Sequence, residues 1–169
     1  MKFRSSAFVL IMFFFCATAV AQKSVIDAAL KSKDHSELLK FIKSAGLLEM
    51  LRGAGPFTIF APTNEAFNKM PSSKKEYLLN PENKKVLTPI ILSHIIAGNI
   101  EFSSILKAIK DGNGKTVFKT MNGTFLTATL KGDQVLLSDG NALVAGVSVT
   151  DLKAGNGILH PIDTFLATY

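Results

Sequence analysis

The chain has 169 residues, 19 of them basic and 13 acidic, which gives a formal net charge of +6 at pH 7. The lysines are scattered and form no basic block with interleaved aromatic residues, which argues against a nucleic-acid partner. The only cysteine, Cys16, lies in an N-terminal apolar run, so disulfides cannot stabilise the remaining chain even in an oxidising compartment.

The N-terminus has the three parts of a secretory signal. Lys2 and Arg4 give a positive start, an apolar run follows over residues 8–15, and small residues at 19–21 form a cleavage site. The apolar run is too short to cross a bilayer. The pattern therefore predicts a signal peptide over residues 1–21 and no stable transmembrane span after its removal.

Cleavage near Ala21 would leave residues 22–169 as a single domain, secreted or exported to the periplasm. A domain of that size can bury roughly 68–70% of its unfolded surface. The alternative is a lipid-modified N-terminus at Cys16, but the bulky residues at 13–15 stand where a lipoprotein signal needs small ones.

The N-terminal half has the periodicity and the end signals of helices. Ser24 is placed to cap a first helix, and Asp34 or Ser36 is placed to cap a second one that stops at Gly46. Further helices are predicted to begin near Pro71, Pro81 and Ser103.

A short strand is predicted inside this helical half, over residues 57–61. Apolar side chains alternate there on both faces, so we expect both faces to be partly buried. Thr63 or Asn64 can cap the helix that follows. The predicted core includes five apolar residues, which are Phe57, Ile59, Phe67, Ile95 and Ile158.

The C-terminal half alternates between strand-like segments and turn signals such as Asp139-Gly140 and Asn156-Gly157. Strands are predicted around 117–118 and over 125–130, 134–138, 142–149, 158–160 and 162–167. Helices followed by strands, without a repeat or a linker, indicate one domain of the α+β class.

Three blocks of the sequence resemble landmarks of the fasciclin domain. Residues 55–67, GPFTIFAPTNEAF, are similar to the first family signature, and residues 156–163, NGILHPID, to the second. Residues 93–98, SHIIAG, lie between them and resemble a third landmark, whose histidine is matched by His94. The resemblance implies a β-wedge of about seven strands with helices packed on one side. It also implies a secreted or surface-held adhesion module without catalytic activity or cofactor.

The resemblance also points to a site. In animal members of the family, an Asp followed by an aliphatic residue just before the second signature is assigned to integrin recognition, and the matching positions are Asp151 and Leu152. An Asp offers two acceptor oxygens to a partner, and the Leu can fill a small apolar pocket. The alternative is that Asp151 accepts hydrogen bonds from its own loop while Leu152 completes the core.

Histidines are the remaining candidates. His94 stands in an apolar run, either as a partner contact or as a core histidine with satisfied hydrogen bonds. His160, with Asp163 three residues on, could orient a hydrolytic base, although no motif supplies a nucleophile. His35, His94 and His160 are too far apart in sequence to indicate a metal site.

These observations favour a protein that binds a cell-surface or matrix protein or a polysaccharide, with no catalytic role. The basic net charge fits a weak attraction to anionic polysaccharide. The alternative function is a carrier that holds a small apolar ligand between the sheet and the helices.

Overall fold

The computed structural model of the chain describes residues 23–140 and 143–166. Within these two ranges the chain forms seven α-helices and eight β-strands in two four-stranded sheets. The predicted α+β class is therefore confirmed, with eight strands where about seven were expected. The predicted signal peptide over residues 1–21 lies outside the described residues.

The helices are short. They are α1 (Val25–Lys31), α2 (Ser36–Ala45), α3 (Leu48–Arg52), α4 (Asn64–Asn68), α5 (Ser72–Leu79), α6 (Lys84–Leu92) and α7 (Phe102–Asp111). Single 3-10 turns at Lys33–His35 and Pro81–Asn83 lead into α2 and α6.

The start of α1 and the end of α2 follow the sequence signals, but the start of α2 does not. Ser24 caps α1 in a capping box with Asp27, and Gly46 ends α2 with a φ of 74°. Neither Asp34 nor Ser36 caps α2, because the Asn64 side chain takes that role from another segment, accepting a hydrogen bond from the Glu37 amide at 3.0 Å. A cap that comes from a distant part of the chain leaves no signal in the local sequence.

The first sheet joins the two family-like blocks. Its strands are β1 (Phe57–Pro62), β2 (Ile95–Ala97), β7 (Leu152–Ala154) and β8 (Gly157–Ile162), in the order β2-β1-β8-β7. Strands β1 and β8 run parallel, and every residue of β1 is buried. The expectation that both faces of this strand are covered is therefore confirmed.

The second sheet is an antiparallel meander of β3 (Lys115–Lys119), β4 (Phe125–Lys131), β5 (Gln134–Ser138) and β6 (Val144–Gly146). Strand β6 is shorter than the predicted 142–149, and residues 163–166 form no strand. The reason is that the chain crosses between the sheets here. Val147 bridges to Ile162, and the Asp163 amide donates to the Gly146 carbonyl at 3.2 Å.

The two faces of β1 belong to two hydrophobic clusters. Ile59 packs with the helices of the N-terminal half, whereas Phe60 packs with α7 and the second sheet. All five predicted core residues are buried, namely Phe57, Ile59, Phe67, Ile95 and Ile158. Among residues 23–140 and 143–166, no helix has the length and apolar character needed to span a bilayer.

Candidate functional site

Asp151 and Leu152 lie where the chain returns from β6 of the second sheet to β7 of the first sheet. Leu152 is the first residue of β7 and pairs with Leu159 of β8. Its half-buried side chain packs against the hydrophobic cluster that contains Ile59 and the helices of the N-terminal half. The Asp151 side chain is 17% exposed. The pair therefore stands at the surface with its side chains largely turned into the protein.

The Asp151 carboxylate binds the start of α7 and faces a histidine. Its Oδ2 accepts a hydrogen bond from the amide of Phe102, the first residue of α7, at 3.3 Å. Its Oδ1 lies 3.0 Å from Nδ1 of His160, without the alignment of a hydrogen bond. A carboxylate at a helix N-terminus is favourable, because the free amides and the helix dipole attract negative charge. The geometry thus agrees with a structural role for Asp151 within its own surroundings.

His160 is fixed on its other side by the backbone. Its side chain is fully buried, and Nε2 lies 2.7 Å from the Ile100 carbonyl oxygen. A carbonyl only accepts, so Nε2 must carry the hydrogen. Its Nδ1 faces the Asp151 carboxylate without forming a hydrogen bond. Together His160 and Asp151 hold the segment from Ile100 to Phe102.

The sequence hypothesis of a hydrolytic His160–Asp163 pair does not match this geometry. Asp163 accepts a hydrogen bond from the Gly146 amide at 2.8 Å, and the carboxylate beside His160 is that of Asp151. A general base must reach the proton that it removes. The ring of His160 is buried, with Nε2 at a carbonyl and Nδ1 facing Asp151, so neither nitrogen is exposed to a substrate.

Replacing Asp151 separates its structural and binding roles. Asp151→Ala leaves the Phe102 amide without its acceptor and removes the carboxylate that faces His160, and we expect a loss of about 1–3 kcal/mol in the free energy of unfolding. Asp151→Asn keeps an oxygen for Phe102 and offers an amide hydrogen to His160, so it should stay within about 1 kcal/mol of the parent. Urea titration of both variants measures this. Equal stability of Asp151→Ala and the parent would show that the contacts carry no energy.

His94 is enclosed in the core. Only 1% of the residue is exposed, Nδ1 donates to the Ile90 carbonyl at 2.9 Å, and Nε2 accepts from the Leu166 amide at 3.1 Å. Its ring stacks on Phe165 with 4.9 Å between the centroids. Burial lowers the pKa of His94 to about 4, although the Ile90 hydrogen bond opposes the shift. A partner contact through His94 stays a prediction, and it would require the side chain to leave these two bonds.

The neutral state of His94 makes stability depend on pH. An unfolded histidine titrates near about 6.5, so the unfolded chain takes up a proton before the folded one does. The stability contribution is complete above about pH 6.5, falls by up to about 1.4 kcal/mol per pH unit on acidification, and levels off near pH 4. His94→Asn should therefore lose less stability than the parent over this range. Parallel urea titrations measure the difference, and identical pH slopes would contradict it. Burial also lowers the pKa of His35, but His35 contributes equally to the pH dependence of stability in the parent and in His94→Asn.

A surface pocket of about 260 Å³ adjoins the Asp151 segment. It lies between α1 and β7 and is lined by Lys23, Ala28, Lys31, Asp151, Leu152, Lys153 and Ala154. The ammonium group of Lys153 forms an ion pair with Glu101 at 2.6 Å, and this hydrogen bond raises the pKa of Lys153. The sequence indicated Asp151 and Leu152 as candidates but not Lys23 and Lys31, which are far away along the chain.

Asn156 is an important residue whose role the sequence did not reveal. Its Oδ1 accepts a hydrogen bond from the Val25 amide at 2.7 Å. Its Nδ2 donates to the carbonyls of Leu51 at 2.9 Å and Gly53 at 2.7 Å. One side chain thus connects the start of α1, the end of α3 and the turn before β8. The Asn-Gly pair indicated only the turn.

Metal binding gains no support from the described part of the chain, which contains no group of three or more histidine, cysteine or acidic residues placed to hold an ion.

Comparison with known proteins gives the class. The model of the fasciclin domain matches residues 33–168, and the chain belongs to the fasciclin family. Protein sll1483 of Synechocystis is 33% identical over 140 residues, which cover 83% of this chain and 71% of that protein. Periostin of Homo sapiens is 30% identical over 151 residues, which cover 86% of this chain but 16% of that protein.

The fold has a solved counterpart. A FAS1 domain pair from the insect cell adhesion molecule fasciclin I superposes with a TM-score of 0.75 and 18% identity, covering 86% of this chain and 51% of that one. The transforming growth factor-beta-induced protein ig-h3 of Sus scrofa is 32% identical over 147 residues, which cover 19% of its length. Relatives of this kind therefore contain much more chain than the segment that matches.

Proposed function

We propose that the protein is an exported, non-catalytic module that binds a protein or polysaccharide on a cell surface or in a matrix. Family membership and the likeness to a domain pair of a cell adhesion molecule support this function. The observation that carries it is the placement of Asp151 and Leu152 on the wall of a surface pocket, while His160 is buried and unavailable for chemistry.

Retention of the purified protein tests the proposal. The protein should remain on cells of its source organism or on their matrix after washing, and excess unlabelled protein should displace it. Protease treatment of the surface should abolish retention if the partner is a protein, and glycosidase treatment if it is a polysaccharide. Absence of retention on every such surface would refute the adhesive function.

The Asp151→Asn variant tests whether the Asp151 carboxylate contacts the partner. The variant is expected to keep the fold, so reduced retention would support a contact by the Asp151 charge. Unchanged retention would place the adhesive contact elsewhere on the molecule.

Export is a separate part of the proposal. The positive start and the apolar run of the N-terminus support it. Mass spectrometry of the exported protein should find an N-terminus at Gln22. A lipidated Cys16, or an intact leader in the cytoplasm, would contradict it.

The carrier hypothesis has less support. The space between the first sheet and the helices is filled by the hydrophobic cluster that contains Ile59. Its side chains include Phe41, Phe67 and Leu87, each fully buried. Interiors packed in this way leave few voids larger than a water molecule.

A further inference from the structure

The pocket between α1 and β7 combines an apolar floor with positive charge. Ala28 of α1 and Leu152 and Ala154 of β7 supply apolar surface, whereas Lys23 and Lys31 supply ammonium groups from the two ends of α1. The rest of the lining is Asp151, whose carboxylate accepts a hydrogen bond from the Phe102 amide, and Lys153, which is paired with Glu101. Aliphatic surface beside two ammonium groups that form no ion pair is complementary to a ligand that has a carboxylate next to an aliphatic group.

Lys23, just before α1, and Lys31, at its end, have no ion-pair partner within residues 23–140 and 143–166. The nearby ammonium of Lys23 lowers the pKa of Lys31, and burial adds to this effect while Asp27 opposes it. Asp27 itself is engaged at the start of the helix, since its Oδ2 accepts from the Ser24 amide and from the Ser24 hydroxyl, each at 2.9 Å. Two neighbouring cations that repel each other would gain from a bound anion.

The walls of the pocket are held in place by the backbone. The Lys23 carbonyl accepts a hydrogen bond from the Gly155 amide at 2.7 Å, which fastens the chain before α1 to the end of β7. The Lys153 ammonium is already paired with Glu101. The charge without an ion pair is therefore concentrated at Lys23 and Lys31, on a wall whose backbone at Lys23 is already fixed when a ligand binds.

The volume of the pocket limits the size of the group that it can hold. Its volume of about 260 Å³ is below the range of roughly 300–1,000 Å³ that small-molecule sites usually have. One or two side chains of a larger partner fit such a space, as an anchor residue does at a protein interface.

We infer that this pocket between α1 and β7 binds a short peptide segment of a partner protein in which an acidic residue is next to an aliphatic one. The inference rests on the proposed function for the existence of a partner, and it adds the chemistry by which the partner is recognised. The acidic side chain lies between Lys23 and Lys31, and the aliphatic side chain packs on Ala28 and Leu152.

A capped tetrapeptide, Gly-Glu-Leu-Gly, is the probe, with Gly-Gln-Leu-Gly as the uncharged control. Titration of the isotopically labelled protein should shift the backbone amide signals of residues 23–31 and 151–155 in the NMR spectrum. The glutamate peptide should bind about tenfold more tightly than the glutamine peptide, which corresponds to about 1.4 kcal/mol. Added salt should weaken its binding, because both charges are near the solvent.

Lysine variants test whether Lys23 and Lys31 supply the positive charge that binds the glutamate peptide. Lys23→Gln with Lys31→Gln should weaken binding of the glutamate peptide about tenfold and leave the glutamine peptide unaffected. Lys43→Gln is the matched control, since Lys43 is an exposed lysine that does not line the pocket, and it should change nothing. All three positions are exposed, so the fold should tolerate the changes.

Two outcomes overturn the inference. One is equal affinity for the two peptides, and the other is glutamate-peptide binding that the double lysine variant does not alter. If the intact protein is retained on surfaces while the peptide result is negative, the inference fails and the proposed function stands. If the peptide binds as expected but no surface retains the protein, the adhesive function fails and the pocket chemistry stands.

Discussion

Phe67→Ala is expected to lower the free energy of unfolding by about 3–5 kcal/mol. Phe67 is fully buried between two other rings, with centroids 4.6 Å from Phe41 and 5.0 Å from Phe165. Removing the middle ring costs the transfer energy of its atoms and leaves a cavity that its rigid neighbours cannot close. A reversible urea titration measures the change in midpoint and slope.

Tyr77→Ala is the control for this experiment. Tyr77 is 50% exposed on α5, so its loss should change the free energy of unfolding by less than about 0.5 kcal/mol. A change below about 1 kcal/mol for Phe67→Ala would show that the ring contacts contribute little and that this part of the core is loosely packed.

Local chemistry made much of the fold predictable. The alternation in Phe57–Pro62 requires cover on both faces, and the structure supplies helices on one side and α7 with the second sheet on the other. The caps at Ser24 and Thr63 and the stop at Gly46 depend on residues that act on their immediate neighbours. Signals of this kind can be interpreted without knowing the tertiary structure.

What the sequence did not reveal depends on contacts between distant segments. Asn64 caps α2 from another segment, and Asp151 rather than Asp163 lies beside His160. Spacing of three residues suggested the pair of His160 and Asp163, but Asp163 lies beyond the end of β8, where its carboxylate accepts from the Gly146 amide. The pocket was hidden for the same reason, because Lys31 and Leu152 are brought together only by the packing of α1 on β7.

Asn156→Ala is expected to be nearly as damaging as the loss of a core ring. The side chain makes three hydrogen bonds to backbone groups of Val25, Leu51 and Gly53. At about 1–1.5 kcal/mol for each bond, we expect a loss of about 3–4 kcal/mol in the free energy of unfolding. The three backbone groups belong to different segments, so they cannot form hydrogen bonds with one another once the Asn156 amide is removed. The loss should therefore also loosen the start of α1 and the part of the pocket that Lys23 and Lys31 line.

Two further variants make this prediction specific to the amide. Asn156→Asp retains an oxygen for the Val25 amide but turns a carboxylate towards two carbonyls, so it should be destabilised by at least about 2 kcal/mol. Asn99→Ala removes an exposed asparagine and should stay within about 0.5 kcal/mol of the parent. Hydrogen exchange should show faster opening of the amides of α1 in Asn156→Ala, because the Val25 amide has lost its acceptor. If Asn156→Ala and Asn99→Ala are equally stable, the turn backbone alone holds these segments together and the side-chain bonds are dispensable.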